Sequence, residues 1–367
     1  MDFNELLKPG VQANDVAVIE RIKKTDAPVV LYGASVDVAD QIVKKLSAYG
    51  IAVQGVVFDE ESPVMTASTR LLKDVEPVHV RDVDDRLPAY HVIAGFVKAY
   101  GRITELSAKF RNARSVAFLS EIFDMEMITP EFVLDNEAFL RDFYNRLLDQ
   151  HSKDSFVAYL LSKTRQDMRY LPPVFDKRQY FSPGMFELSG YESYFDGGAF
   201  TGDTIADFLK VSGGAYRRIW AAEPDRSNYQ RLKQYIDDEK LSNIVVVNKG
   251  LYSFEGRLPF QEEGSMLSMI TDASDHYIEV DTIDHITAGE PVTYIKLDVE
   301  GAELEALKGA ERTVRTCKPV LGISIYHKER DLIDIPAYIN YIAPEYSFYF
   351  RVHKKLAIDT VLYGVVG

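Results

Sequence analysis

Residues 194–209, YFDGGAFTGDTIADFL, set an acid directly after aromatic residues, then three glycines among small side chains, then an amphipathic run. Read as a strand ending at Asp196, a turn through Gly197, Gly198, Ala199 and Phe200, and a helix opened by Gly202 and Thr204, the stretch is the first βα corner of a doubly wound sheet. In such sheets ligands lie beyond the carboxyl ends of the strands, where the strand order reverses. Glycines let the main chain approach a ligand, and the amides and dipole of a helix N-terminus attract an anion. The spacing is G-G-x-x-x-G, and Asp196 stands where the diphosphate of a nicotinamide dinucleotide would be repelled. A zwitterionic α-amino acid group suits the loop better. The bland alternative is a tight strand-to-helix turn that holds nothing.

Working outward, strands are expected at 193–198, 218–224, 243–250, 294–300 and 319–327, with helices at 202–211, 225–238, 302–314 and 334–342. Two last strand candidates, 346–353 and 359–366, have no helix between them and must pair as an antiparallel hairpin. The second strand ends in Glu223 and Pro224, where a carboxylate can accept both hydroxyls of a ribose; the alternative is a strand-end acid that caps the next helix. The third ends at Asn248, so that the Gly250 and Leu251 backbone would lie beside a purine, although NKG is also an ordinary turn. Amino-acid head, ribose diol and adenine edge together describe S-adenosylmethionine.

The 367 residues favour two domains, and 46% hydrophobic with 27% charged residues is the profile of a compact folded chain. A net charge of −14 opposes nucleic acid or an anionic membrane as partner. The lone Cys317 excludes an intrachain disulfide and a multi-cysteine metal site. The acidic start, MDFNELLKPG, and the lack of a membrane-length apolar run lead us to expect a cytoplasmic protein. Residues 1–122 alternate Val/Ile-rich runs with helical patterns, which implies a smaller Rossmann-like α/β domain with a parallel sheet. In it, Gly33 sits at the first bend and Asp59 follows the second strand, but Ser35 replaces the second glycine of the dinucleotide fingerprint. This domain either binds a nucleotide or nucleotide-sugar, or serves as a scaffold that presents substrate or a homo-oligomer surface. Residues 123–192 read as a helical and aromatic connector and lid before a domain at 193–367.

The most specific stretch is YIKLDVEGAELEALKGAERTV at 294–314, followed by KPVLGISIYHKERDLIDIPAYI and the terminal DTVLYG. With YFDGGAFTGDT and AAEPD, these motifs resemble the FkbM family of S-adenosylmethionine-dependent methyltransferases over about residues 176–367. The resemblance implies a class I methyltransferase fold, a Rossmann-like seven-stranded sheet with six parallel strands and one reversed. It also implies transfer of a methyl group to a hydroxyl on a sugar or related small molecule. The aromatic lead-in at 179–192 is similar to the family's approach to the cofactor loop, which would set Tyr180 and Phe181 in the cleft or, equally, over the sheet.

Methyl transfer is an in-line displacement, so orientation dominates, and an alcohol acceptor also needs a base. Lys296 and Asp298 alternate to one face of their strand, and Glu300 lies just beyond. Asp298 is expected to face the methyl, or else to cap the following helix. His327, at the edge of the next strand, is the natural base for a hydroxyl, against an exposed loop histidine as the alternative. Tyr326 is expected to pack. Asp298, Glu300 and His327 carry donor atoms for a divalent ion, but their spacing demands none, and the question of a metal stays open, leaning to none. Ser265 and Ser268 would contact substrate if their loop crosses the cleft mouth. The rival readings are an NAD-dependent oxidoreductase using the front domain and a binding protein without turnover.

Overall fold

The computed structural model describes residues 1–7, 15–60, 72, 75–96, 103–119, 122, 128–165, 170–261, 269–270, 276–353 and 359–367. Ser265 and Ser268 lie outside them. The chain divides into two compact units, one of residues 1–137 and 157–173, the other of 138–156 and 174–367. Among the described residues no helix is long and apolar enough to cross a membrane.

The first unit is built on β1 (Val29–Tyr32), β2 (Val53–Phe58), β3 (Val78–His79), β4 (Tyr90–Ala94) and β5 (Ala113–Phe118). They run parallel in the order β3-β2-β1-β4-β5, a Rossmann-like sheet. Every residue of β1 and β4 is buried, as the continuous apolar runs require when helices cover both faces. The two-residue β3 was not expected, being too short for a periodic signal. At the nucleotide-like corner Ser35 accepts the Val38 N–H and caps the helix Val36–Ala48. Asp59 accepts from the Tyr32 hydroxyl and the Lys109 ammonium, each at 2.9 Å. The acid that suggested a dinucleotide is thus engaged within the protein, and the serine that replaces the second glycine caps a helix, which leaves the oxidoreductase reading without support.

The second unit holds β6 (Ser193–Gly197), β7 (Arg218–Ala222), β8 (Ile244–Val247), β13 (Tyr294–Leu297), β14 (Val320–Ser324), β15 (Ser347–Val352) and β16 (Thr360–Val365). Between β8 and β13 come β9 (Gly250–Leu251), β10 (Gly256–Gln261), β11 (Met269–Ile270) and β12 (Tyr277–Asp281). The large sheet has the order β15-β16-β14-β13-β6-β7-β8, with β16 antiparallel to both neighbours and the other six strands parallel. This is the class I methyltransferase arrangement. The chain leaves β6 toward β7 and β8 and returns at β13, so the switch point lies between the tips of β6 and β13, at Gly197 and Asp298.

Strands β9 to β12 form a small sheet in the order β11-β10-β12-β9 that was not expected, while most of the stretch read as crossing the cleft mouth, 262–277, lies outside the described residues. One expectation is corrected here. The helix read over 302–314 is two, Glu303–Lys308 and Glu311–Cys317. A Cβ on Gly309 would come within 2.2 Å of the Tyr252 carbonyl oxygen, so the break is a close approach that only glycine permits.

Candidate active site

Strand register builds the floor of the site. Asp196 on β6 lies directly across from Lys296 on β13. Both side chains are buried, and the ammonium stands 3.1 Å from Asp196 Oδ1. It also donates to the carbonyl oxygens of Gly197 at 3.0 Å and Gly198 at 2.6 Å. Lys296 thereby ties the glycine loop down to the sheet. Burial pushes the Asp196 carboxyl up, against the pull of Lys296. Burial draws the Lys296 ammonium down, but Asp196 and Asp298 outweigh it and hold it above its ordinary value. The sequence-based expectation that Asp196 grips a ligand is corrected: in this arrangement it is wholly enclosed beneath the loop and serves Lys296.

The glycines also answer to the protein itself. Gly198 has φ +71°, and a Cβ there would fall 1.8 Å from the Asp298 carbonyl oxygen. A Cβ on Gly197 would meet Leu251 and Leu297 at 2.7 and 2.8 Å, which brings Leu251 against the loop. Gly202, at φ +93°, packs against Tyr235 and starts the helix Asp203–Val211, which Thr204 enters. The Gly198 and Ala199 amides donate to the Ala222 carbonyl and that of Gly202 to Ala199, so these expected anion donors are already used. Phe200 sits in the left-handed region at φ +46°, held there by a 2.8 Å bond from its N–H to Glu223 Oε2.

Glu223, at the tip of β7, also accepts the Asp225 N–H at 2.9 Å through Oε1. Burial pushes its carboxyl up to about 7 although both amides favour the charged form. Asn248 donates to the carbonyl oxygens of Glu223 and Pro224 and so fixes this tip. Gly250 and Leu251 pair with Val280 and Asp281 in the small sheet. Asp196, Glu223, Asn248 and Leu251 therefore converge on one corner, with Glu223 as its titratable acceptor.

Across the switch point a second cluster forms. Asp298 accepts the Tyr180 hydroxyl on Oδ2 at 2.9 Å and the Tyr326 hydroxyl on Oδ1 at 3.3 Å. The Tyr180 hydroxyl also lies 3.0 Å from Ser324 Oγ. Tyr180 adopts φ +63°, and its N–H donates to the Tyr363 hydroxyl while its carbonyl accepts from Tyr294. Both ends of its peptide and its ring terminus are thus fixed, which sustains an unfavourable backbone beside the site. Phe181 packs in the core against Tyr194, Phe208 and Tyr294. His327 Nδ1 stands 3.0 Å from Glu303 Oε1, and Nε2 stands 3.3 Å from Glu300 Oε2 and 3.8 Å from Asp298 Oδ1.

Burial alone would lower the His327 ring, but Glu303, Glu300 and Asp298 override it and hold it well above its ordinary value. The surrounding carboxylates favour the charged form of the ring, which works against the base role expected of His327. Burial pushes Asp298 upward, yet Lys296, His327 and the Tyr180 hydroxyl keep its carboxyl below the usual range. Asp331 is pushed up to about 7 by burial and by the Glu303 charge. Tyr326, expected only to pack, and Glu303 and Ser324 were missed. Glu303 reads in sequence as one more acid in a helical first turn, and nothing local shows that His327 packs against it.

Compared with known proteins, residues 196–348 match the methyltransferase FkbM domain family. Among solved structures the chain is similar to methyltransferase FkbM from Methylobacillus flagellatus KT, at 23% identity and a TM-score of 0.71, over 98% of this chain and 96% of that one. At that identity the likeness speaks for the fold. An rRNA methylase from Streptococcus thermophilus matches at 14% identity and a TM-score of 0.32, over 49% of this chain and 90% of its own. Fibrillarin from Aeropyrum pernix, solved with S-adenosyl-L-methionine, matches at 14% identity and a TM-score of 0.33, over 50% and 70%. Neither of these two carries further weight. No curated protein matches the chain.

Proposed function

Because residues 196–348 constitute an FkbM methyltransferase domain, we propose that the chain uses S-adenosylmethionine to methylate a hydroxyl oxygen of a small molecule, with a sugar or nucleotide-sugar as the acceptor class. The observation that carries this reading is the position of Glu223, a buried carboxylate at the tip of the strand beside the switch point, locked to the glycine loop through Phe200. A ribose diol is the group that such an acceptor suits. The bound cofactor supplies an electrophilic methyl on a sulfonium.

The remaining work falls to the chain. Lys296 keeps the loop in one shape by holding two of its carbonyls. Glu223 and Asn248 fix the tip that receives the nucleoside. Asp298 and Glu300, each partly open to solvent, are the carboxylates that take the acceptor's hydroxyl proton. Tyr180 and Tyr326 orient Asp298 by donating to opposite oxygens, which limits the directions from which an acceptor can approach. The cluster's negative charge favours the uncharged sugar end of such an acceptor over any phosphate it carries.

Labelled S-adenosylmethionine offered with a panel of hydroxylated sugars and nucleotide-sugars tests the assignment. Label should enter at least one of them as an O-methyl ether, and Asp298→Asn should suppress it. Label transfer only to nitrogen or carbon, or none in the presence of tight cofactor binding, would overturn the hydroxyl-acceptor reading.

A further inference from the structure

We infer that Asp298, Glu300 and His327 form a binding site for a divalent, oxygen-preferring cation of the Mg²⁺ or Mn²⁺ kind. One ligand atom from each of the three lies within 4.8 Å of the others. In octahedral coordination at about 2.1 Å, neighbouring ligands stand about 3.0 Å apart and opposite ones about 4.2 Å. The 3.3 Å from Nε2 to Glu300 and the 3.8 Å from Nε2 to Asp298 fall inside that span, so sub-ångström shifts complete the geometry.

Two further observations point to a cation. The first is orientation. A metal-bound imidazole offers one nitrogen and anchors the other on a carboxylate. Here Nδ1 stands 3.0 Å from Glu303 Oε1, a carboxylate held by the Val299 N–H at 2.7 Å, but among the described residues neither ring nitrogen makes a hydrogen bond, so both buried nitrogens are left without a partner. Tyr180 takes Asp298 Oδ2, and Oδ1, which accepts the Tyr326 hydroxyl at 3.3 Å, lies 3.8 Å from His327 Nε2. The second is charge. Asp298, Glu300 and Glu303 converge on one imidazole, and among the described residues no lysine or arginine forms an ion pair with any of the three. Glu303 is wholly buried and its Oε2 has no hydrogen-bond partner. Three carboxylates thus face one imidazole, Glu303 among them wholly buried, and uncompensated buried charge is costly. A divalent ion supplies what the ring cannot. Two carboxylates with one imidazole suit a hard ion of this class over a thiophilic one.

Ion binding does not depend on methyl transfer. Its consequence for catalysis does rest on the proposed function: an ion beside Asp298 would orient the acceptor oxygen.

The test uses the full chain, stripped with EDTA, desalted and titrated with Mn²⁺ under electron paramagnetic resonance, without cofactor. One Mn²⁺ per chain is expected, with ¹⁴N hyperfine coupling in the pulsed spectrum. His327→Ala should remove the coupling, and both it and Glu300→Gln should weaken binding about tenfold or more. The group of Glu255, Asp281 and His285 serves as control, since Lys249 already sits 2.6 Å from the buried Asp281; His285→Ala should leave binding unchanged. Circular dichroism checks that each variant folds, and Glu300→Gln carries the test if His327→Ala does not. No bound ion at millimolar Mn²⁺, loss only in His285→Ala, or binding without nitrogen coupling would overturn the inference. Calorimetry with S-adenosylmethionine on the same samples separates its failure from failure of the methyltransferase reading.

Discussion

Replacing Lys296 by methionine keeps an unbranched side chain one atom shorter and removes the one cation paired with a wholly buried Asp196. Breaking a buried pair from one side costs about 3–5 kcal/mol. An independent ceiling comes from Asp196 itself, which can escape by taking a proton. From its reference value of 3.8, protonation at pH 7 costs about 4.4 kcal/mol, and at pH 5 about 1.6 kcal/mol. The carbonyls of Gly197 and Gly198 also lose their donor, a pH-independent share of that cost of about 3–5 kcal/mol. A carboxyl raised in the folded state contributes stability that is full below its unfolded value and lost as pH rises. Asp196 is already raised in the wild type, and losing Lys296 raises it further, so the deficit of Lys296→Met should grow from pH 5 to pH 7 by up to about 3 kcal/mol. In a unit of about 200 residues each kcal/mol lowers the melting temperature by about 2–4 °C, so a drop of about 6–20 °C is expected at pH 7. Urea unfolding at both pH values measures this, with Asp196→Asn/Lys296→Met as the partner that should lose the pH dependence. A deficit under about 1 kcal/mol at pH 7, or one equal at the two pH values, would refute the reasoning.

Other outcomes follow from the same geometry. Gly198→Ala should be far more destabilising in urea than Gly213→Ala: both positions have positive φ, but only Gly198 has a carbonyl oxygen 1.8 Å from the new methyl, and equal losses would count against the packing account. Glu223, raised from 4.5 to about 7 by burial, favours the folded state at low pH and should lose up to about 3 kcal/mol between pH 4.5 and 7. Glu223→Gln should flatten that part of the pH–stability profile, and an unchanged slope would remove Glu223 as its source. Tyr180→Phe removes the donor to Asp298 and should lower kcat about tenfold or more while cofactor affinity stays the same. A change confined to cofactor affinity would place Tyr180 in another role.

The frame was legible because its signals are local. Continuous apolar strands, amphipathic helices and a closing pair of strands with no helix between them are enough for a parallel sheet with one reversed strand. The strand-tip positions of Glu223, Asp298 and His327 follow from the same pattern. What sequence could not supply was register and depth. Asp196 and Lys296 are a hundred residues apart, and only their pairing across β6 and β13 shows that they satisfy each other below the loop. His327 reads as a free base until Glu303, Glu300 and Asp298 are seen around it. The glycines read as room for a ligand, whereas Asp298, Leu251 and Tyr235 fill the space. The small sheet of β9 to β12 escaped notice because its strands are short and partly polar.

The central claim is that Glu223 receives the nucleoside of S-adenosylmethionine at the tip of β7. A crystal of the full chain grown with S-adenosylhomocysteine tests it most directly: both ribose hydroxyls are expected on the Glu223 carboxylate, with the sulfur turned toward Asp298. A nucleoside bound in any other cavity, or a ribose that leaves Glu223 untouched, would contradict the account.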